Sequence, residues 1–167
     1  MKEIKPKEFI EQVLINEVGE IYENHPYIAF AIISIGIEFL GKCLNNKEDW
    51  NFKGRSKTDF EFAINTLNSF SKYRNLNYNL QDSLRNGFLH SFTPKENITL
   101  SSKNQQSHLT VDLDDKLNLN CENFYLDFKN GCKEIISMNH FNSNKMDLPL
   151  IYIPSLNSEI SITGKTH

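Results

Sequence analysis

The stretch IAFAIISIGI, residues 28–37, decides the fold. It is apolar almost all round, and a helix of that kind belongs in the middle of a bundle. The run stops at Glu38. It falls short of the roughly 20 residues a membrane span needs, so no membrane association is expected. The spacing predicts a helix over 27–44. Gly36 and Gly41 lower its intrinsic propensity but allow a neighbouring helix to come close.

Upstream, Phe9, Ile10, Val13, Leu14, Val18 and Ile21 recur at helical spacing and predict a first helix over 6–23. Pro6 suits its first turn, and His25-Pro26 ends it. Downstream, 45–57 reads as a polar loop. Thr58-Asp59-Phe60-Glu61 then has the form of a capping box. It opens a third helix with Phe60, Ala63, Leu67 and Phe70 inward. Leu80, Leu84 and Phe88 form the stripe of a fourth helix, closed by Pro94.

ITLSS and HLTVDL alternate apolar and polar around the spacer KNQQS, which predicts a β-hairpin at about 97–119. Asn120 is the expected cap of a last helix, 121–138. The fold class is therefore mainly α: an up-and-down bundle of about five helices with a small β-hairpin inserted before the last one. Residues 1–147 form one helical domain. Residues 148–167 form an extended or β-strand tail, where LIYI and ISI alternate again.

Composition agrees with one folded domain. Hydrophobic residues make up 39% with 12 Phe, enough for a core, and the 23% charged residues are mixed in sign. A net charge of −3 gives no global attraction for nucleic acid. Residues 47–95 are locally basic at +3, which is compatible with phosphate binding. Three cysteines are too few and scattered for a disulfide framework, and the N-terminus has no secretory signal. A cytoplasmic location is expected.

Within the fourth helix, LRNGFLHSF at 84–92 places Arg85, Asn86 and His90 close together. Asn86 and His90 share a helix face. Arg85 and His90 lie some 140° apart on an ideal helix, so a second copy of the helix from a dimer would bring these groups together more easily. The chemistry suits RNA cleavage. A histidine near neutrality takes a proton from a ribose 2′-hydroxyl or gives one to a leaving oxygen, and an arginine holds the phosphate. Metal is not required for it, and no cofactor is expected. Glu38 either fixes the Arg85 guanidinium or sits at the helix edge against Lys42. Arg74 and Lys95 of the basic middle are the candidate substrate-binding cations.

Arg85-Asn86-Gly87-Phe88-Leu89-His90 resembles the R-N-x-x-x-H motif of HEPN-domain ribonucleases, small and often dimeric helical bundles of toxins, phage-defence proteins and CRISPR effectors. The likeness extends loosely over 26–94. It implies a homodimeric endoribonuclease in a toxin or phage-defence role. Arg85 would stabilise the phosphate, His90 would be catalytic, and Asn86 and Glu38 would support them. RNA is then the substrate, and an antitoxin or regulatory protein is a further expected partner. Phe92 departs from the family. It stands where members controlled by a nucleotidyltransferase carry a modified tyrosine, so that control is in doubt here. The alternative reading is a non-catalytic bundle that binds a partner protein or a nucleotide.

Other signals carry little. The terminal Gly164-Lys165-Thr166 lacks the earlier glycine of a P-loop, since Glu159 stands there. Cys121, Cys132 and His140 match no usual zinc spacing. His25 and His108 have no identifiable partner in the sequence.

Overall fold

The computed structural model describes residues 2–45, 50, 54–103, 105–139 and 146–148. The predicted tail lies outside the described residues beyond Leu148, as does most of the predicted loop at 45–57. The chain is mainly helical, with a small three-stranded sheet and a separate two-stranded one.

Helix α1 covers 6–24 as Pro6–Phe9, a π-helical middle Ile10–Glu17, and Val18–Asn24. Ile10, Leu14 and Val18 bury its inner stripe. His25 leaves helical geometry at φ −135°, and Pro26 starts the next helix with its φ already fixed.

Helix α2, Pro26–Leu44, is the central element. It packs against α1, against α3 (Ser56–Thr66) and against α5 (Cys121–Ser137). Its 19 residues are long and apolar enough to cross a membrane by length and composition alone, although most of that stretch is buried inside the protein. The apolar helix is thus longer than the run at 28–37 indicated. Its two glycines are where neighbours come closest. A Cβ on Gly41 would lie 1.8 Å from the Asp59 carbonyl oxygen of α3. One on Gly36 would lie 2.5 Å from the Phe128 ring of α5.

Helix α3 differs from its prediction at both ends. It begins at Ser56, two residues before Thr58, and no side chain caps it. The Ser56 hydroxyl donates to Glu38 instead, at 2.7 Å. At the other end Leu67 turns extended, with ψ 131°, and a 3₁₀ helix follows over Asn68–Tyr73. The break is capped from a distance. The Glu134 carboxylate of α5 accepts the Asn68 and Ser69 N–H groups at 2.9 and 2.7 Å. Phe60, Ala63, Leu67 and Phe70 are nevertheless all buried as the spacing indicates.

Helix α4 covers 81–91 as a π-helical Gln81–Asn86 followed by α-helical Gly87–Ser91. Leu80, Leu84 and Phe88 form its buried stripe. It ends at Phe92, whose φ of 57° is left-handed. A bulky residue there is strained relative to glycine.

The predicted hairpin takes a different form. Strand β2, Ile98–Ser101, pairs in parallel with β4, Leu117–Asn120, and β3, Thr110–Val111, pairs antiparallel with β4. LNLN is therefore the central strand, buried at every position. The tight turn joins β3 to β4, where the Asp112 carboxylate accepts the N–H groups of Asp114 and Lys116. HLTVDL supplies only two ladder residues because Leu109 adopts φ 60° and leaves extended geometry. Asn120 caps α5 as predicted, accepting the Asn123 N–H at 3.2 Å. The second sheet pairs β1, Lys2–Ile4, with β5, Met146–Leu148.

Candidate functional site

Arg85, Asn86 and Glu38 come together where α4 packs against the C-terminal half of α2. Arg85 reaches Glu38 through two nitrogens. Nε donates at 2.9 Å and Nη2 lies at 2.8 Å, both on the same oxygen, Oε2. That oxygen also accepts from Ser56, while Oε1 lies 3.7 Å from Lys42 Nζ. Both sequence alternatives for Glu38 thus occur together, with Arg85 the close partner and Lys42 the distant one. The pair is nearly enclosed, at 18% exposure for the Arg85 side chain and 11% for Glu38. A carboxylate in so apolar a helix needs this compensation.

Arg85 also donates from Nη1 to Asn86 Oδ1 at 3.0 Å. A guanidinium carries five N–H donors, so two remain without a partner among the described residues. Asn86 Oδ1 accepts a second bond, from Gln81 Nε2 at 3.1 Å. Gln81 and Asn86 are five positions apart, which an α-helix would separate by about 140°. The π turn closes this gap, since its hydrogen bonds run to i+5. π turns inside helices are frequent at functional sites.

Gly87 follows directly, and the sequence gives no reason for it. The structure does. After Phe92 the chain doubles back over the helix, and a Cβ on Gly87 would lie 2.5 Å from the Thr93 carbonyl oxygen. This return lets the Lys95 N–H bond the Ser83 carbonyl at 2.8 Å and brings Lys95 Nζ to 2.5 Å from Asp82 Oδ2. The Lys95 hydrogen bond holds the exposed Asp82 carboxyl below its usual range. Lys95 is therefore beside the arginine cluster, linked through Asp82 to Asn86 at 3.5 Å.

His90 lies in the last turn of α4, exposed, with no hydrogen bond or ion pair among the described residues. No direct bond joins it to Arg85. Exposed Leu89 and Phe92 flank it, and Tyr27 donates to the Phe92 carbonyl at 2.8 Å. Arg74 is placed elsewhere. Its Nε and Nη2 bond the carbonyls of Ile64 and Leu67, satisfying the C-terminal end of α3.

A second polar cluster escaped sequence reasoning. Tyr73 donates to Asp127 Oδ2 at 2.5 Å and lies 2.9 Å from His108 Nε2. His108 Nδ1 accepts the Asn120 backbone N–H at 3.0 Å. This fixes the ring with its proton on Nε2, because Nδ1 serves as acceptor. Lys72 Nζ completes the set, 2.8 Å from Asp127. Burial works against the Asp127 carboxylate, but the adjoining His108, Lys72 and Tyr73 outweigh it and hold its carboxyl low. Burial, then Asp127, pushes the Tyr73 phenol well up. The members are separated by 35 and 54 positions from Tyr73, so no local spacing announced them.

All three cysteines are buried and free, and burial raises each thiol, Cys121 to about 12. They are unreactive at neutral pH. Among the described residues no group of three or more His, Cys, Asp and Glu could hold a metal ion. His140 lies outside them. Compared with known proteins, the chain matches no family model, no curated protein and no solved structure.

Proposed function

We propose that the protein is a metal-independent endoribonuclease with an HEPN-like arrangement of its helices. It would act as a homodimer in the cytoplasm, in a toxin or phage-defence setting, with an antitoxin or regulatory protein as further partner. One observation carries this reading. Arg85 is held rigidly by Glu38 and Asn86 with two donors to spare, while His90 stands free at the end of the same helix.

In this mechanism the 2′ oxygen of the ribose attacks the adjoining phosphorus and the P–O5′ bond breaks. An imidazole takes the 2′ proton, and the leaving 5′ oxygen receives one. The spare Arg85 donors meet the charge that builds on the phosphate oxygens. The products are a 2′,3′-cyclic phosphate and a 5′-hydroxyl. A second copy supplies the opposing histidine, which the outward placement of His90 invites. Exposed Leu89 and Phe92 offer apolar surface beside it for that contact. Lys95, ion-paired to Asp82 at the start of α4, lies on the Asn86 side of the arginine.

The test is cleavage of a mixed RNA pool in EDTA by the purified protein, beside His90→Ala and Arg85→Lys. Loss of at least a hundredfold in His90→Ala, with circular dichroism unchanged, is the expected result. Cleavage that survives His90→Ala refutes the mechanism.

The alternative, a bundle that binds without cleaving, draws on the two internal hydrogen bonds and the ion pair of Arg85. It is favoured where RNA binds to the wild type uncut.

A further inference from the structure

The π turn that joins Gln81 to Asn86 has a second neighbour. A cleft of about 230 Å³ lies between α3, the 3₁₀ helix and the start of α4, with Gln81 in its wall. It is smaller than the 300–1,000 Å³ typical of pockets for drug-sized ligands. Its size suits one planar ring system. Ile64, Leu76 and Leu80 give it apolar lining, and Tyr73 and Tyr78 give it aromatic lining.

Tyr78 is fixed in place. Its hydroxyl donates to the Asp115 backbone carbonyl at 2.9 Å and lies 3.1 Å from the Asp115 carboxylate. The ring is therefore tethered at its far end to the β3–β4 turn, and stays available as a flat surface for stacking. Base–aromatic stacking is the usual anchor of single-stranded RNA.

The rim carries polar groups that the fold leaves unused. Arg74 spends Nε and Nη2 on carbonyls and keeps Nη1. Asn79 spends Oδ1 on the Asp82 N–H and keeps its amide nitrogen. The Asn65 side chain, also in the lining, makes no hydrogen bond among the described residues. Glu61 contributes a carboxylate that lies 3.8 Å from the exposed Lys57 ammonium. Two donors, a carboxylate and a free carboxamide are thus assembled around one slot.

We propose that this cleft is a nucleobase subsite and that guanine is the base it takes. Guanine presents two neighbouring acceptors, O6 and N7, which the Arg74 and Asn79 donors match. Its N1–H and N2–H₂ donors match the Glu61 carboxylate and the Asn65 carbonyl. Adenine replaces the O6 acceptor by a donor and lacks both N1–H and N2–H₂, so it leaves the cationic and amide donors poorly used. The inference deepens the ribonuclease reading and rests on it for its purpose. Gln81 links the cleft through Asn86 to Arg85, so a base held here would set the phosphate beside the guanidinium.

Binding of guanosine monophosphate and adenosine monophosphate to the full chain, by titration calorimetry, tests this. Both carry the same phosphate, so the difference reads the base. At least tenfold tighter binding of the guanine nucleotide is expected, reduced to near parity in Glu61→Gln and in Asn65→Ala. Equal affinities, no binding, or a preference that survives both substitutions overturns the subsite. The measurement needs no catalysis. A failure to cut RNA defeats the nuclease reading and leaves the base preference to stand or fall by itself. Cutting of RNA without a guanine preference in the nucleotide titration does the reverse.

Discussion

Arg85 places Nε and Nη2 on one oxygen of Glu38, not one on each. The other oxygen is left facing Lys42 at 3.7 Å. Both nitrogens thus converge on one carboxylate oxygen, and two further N–H groups are without a partner among the described residues.

That relationship sets the first prediction. Glu38→Ala leaves an uncompensated guanidinium in a nearly closed site, and should cost roughly 3 kcal/mol. Lys42→Ala removes the distant, more exposed partner and should cost no more than about 0.5 kcal/mol. Urea denaturation of the two variants measures both. Similar losses would mean that Lys42, not Arg85, is the partner that matters to Glu38.

Gly87→Ala sets two effects against each other. Alanine gains about 1 kcal/mol of helix propensity over glycine. Against this, the new Cβ would lie 2.5 Å from the Thr93 backbone oxygen, which is not a flexible side-chain tip. Overpacking of that kind costs about 1–3 kcal/mol, so net destabilisation is expected. Hydrogen exchange gives the local readout. The Lys95 amide, bonded to the Ser83 carbonyl, should exchange faster in the variant. Unchanged protection there, with stability raised, would show that the return strand accommodates the methyl.

Acid should weaken the Tyr73–Asp127 cluster. The Asp127 carboxyl titrates lower in the folded protein than its ordinary value. Its stabilising contribution is therefore complete above the unfolded pKa of about 3.9, and is lost as pH falls through the lower folded value. Asp127→Asn should be less stable than wild type at pH 7. The difference should shrink steadily below pH ~4. A difference that stays constant from pH 7 to pH 2 would show that the carboxylate charge contributes nothing.

Helical periodicity made the bundle legible. The stripes Ile10/Leu14/Val18 and Leu80/Leu84/Phe88 are buried as their spacing requires. Local rules failed where a distant group took over a local role. Thr58 lost the capping position because Ser56 turned to Glu38, and α3 ended early because Glu134 capped the next turn. LNLN was hidden as a strand by its place beside a strong helix cap, Asn120. At the site, Arg85, Asn86 and His90 were visible as a cluster because they share one helix. The pairing of Arg85 with Glu38 was one of two open choices, since the two residues are 47 positions apart. The π turn left no mark on the hydrophobic pattern, which tolerates one widened turn. The bonds of Arg74 to the carbonyls of Ile64 and Leu67 were not legible, because charge alone does not reveal carbonyls needing donors.

The ladder between Lys2–Ile4 and Met146–Leu148 ties the two extremes of the described chain into neighbouring strands. Strands so paired run about 5 Å apart, so segments from opposite ends of the described chain are held side by side. The same ladder closes the longest loop in the fold, so it is expected to zip late and to fray first.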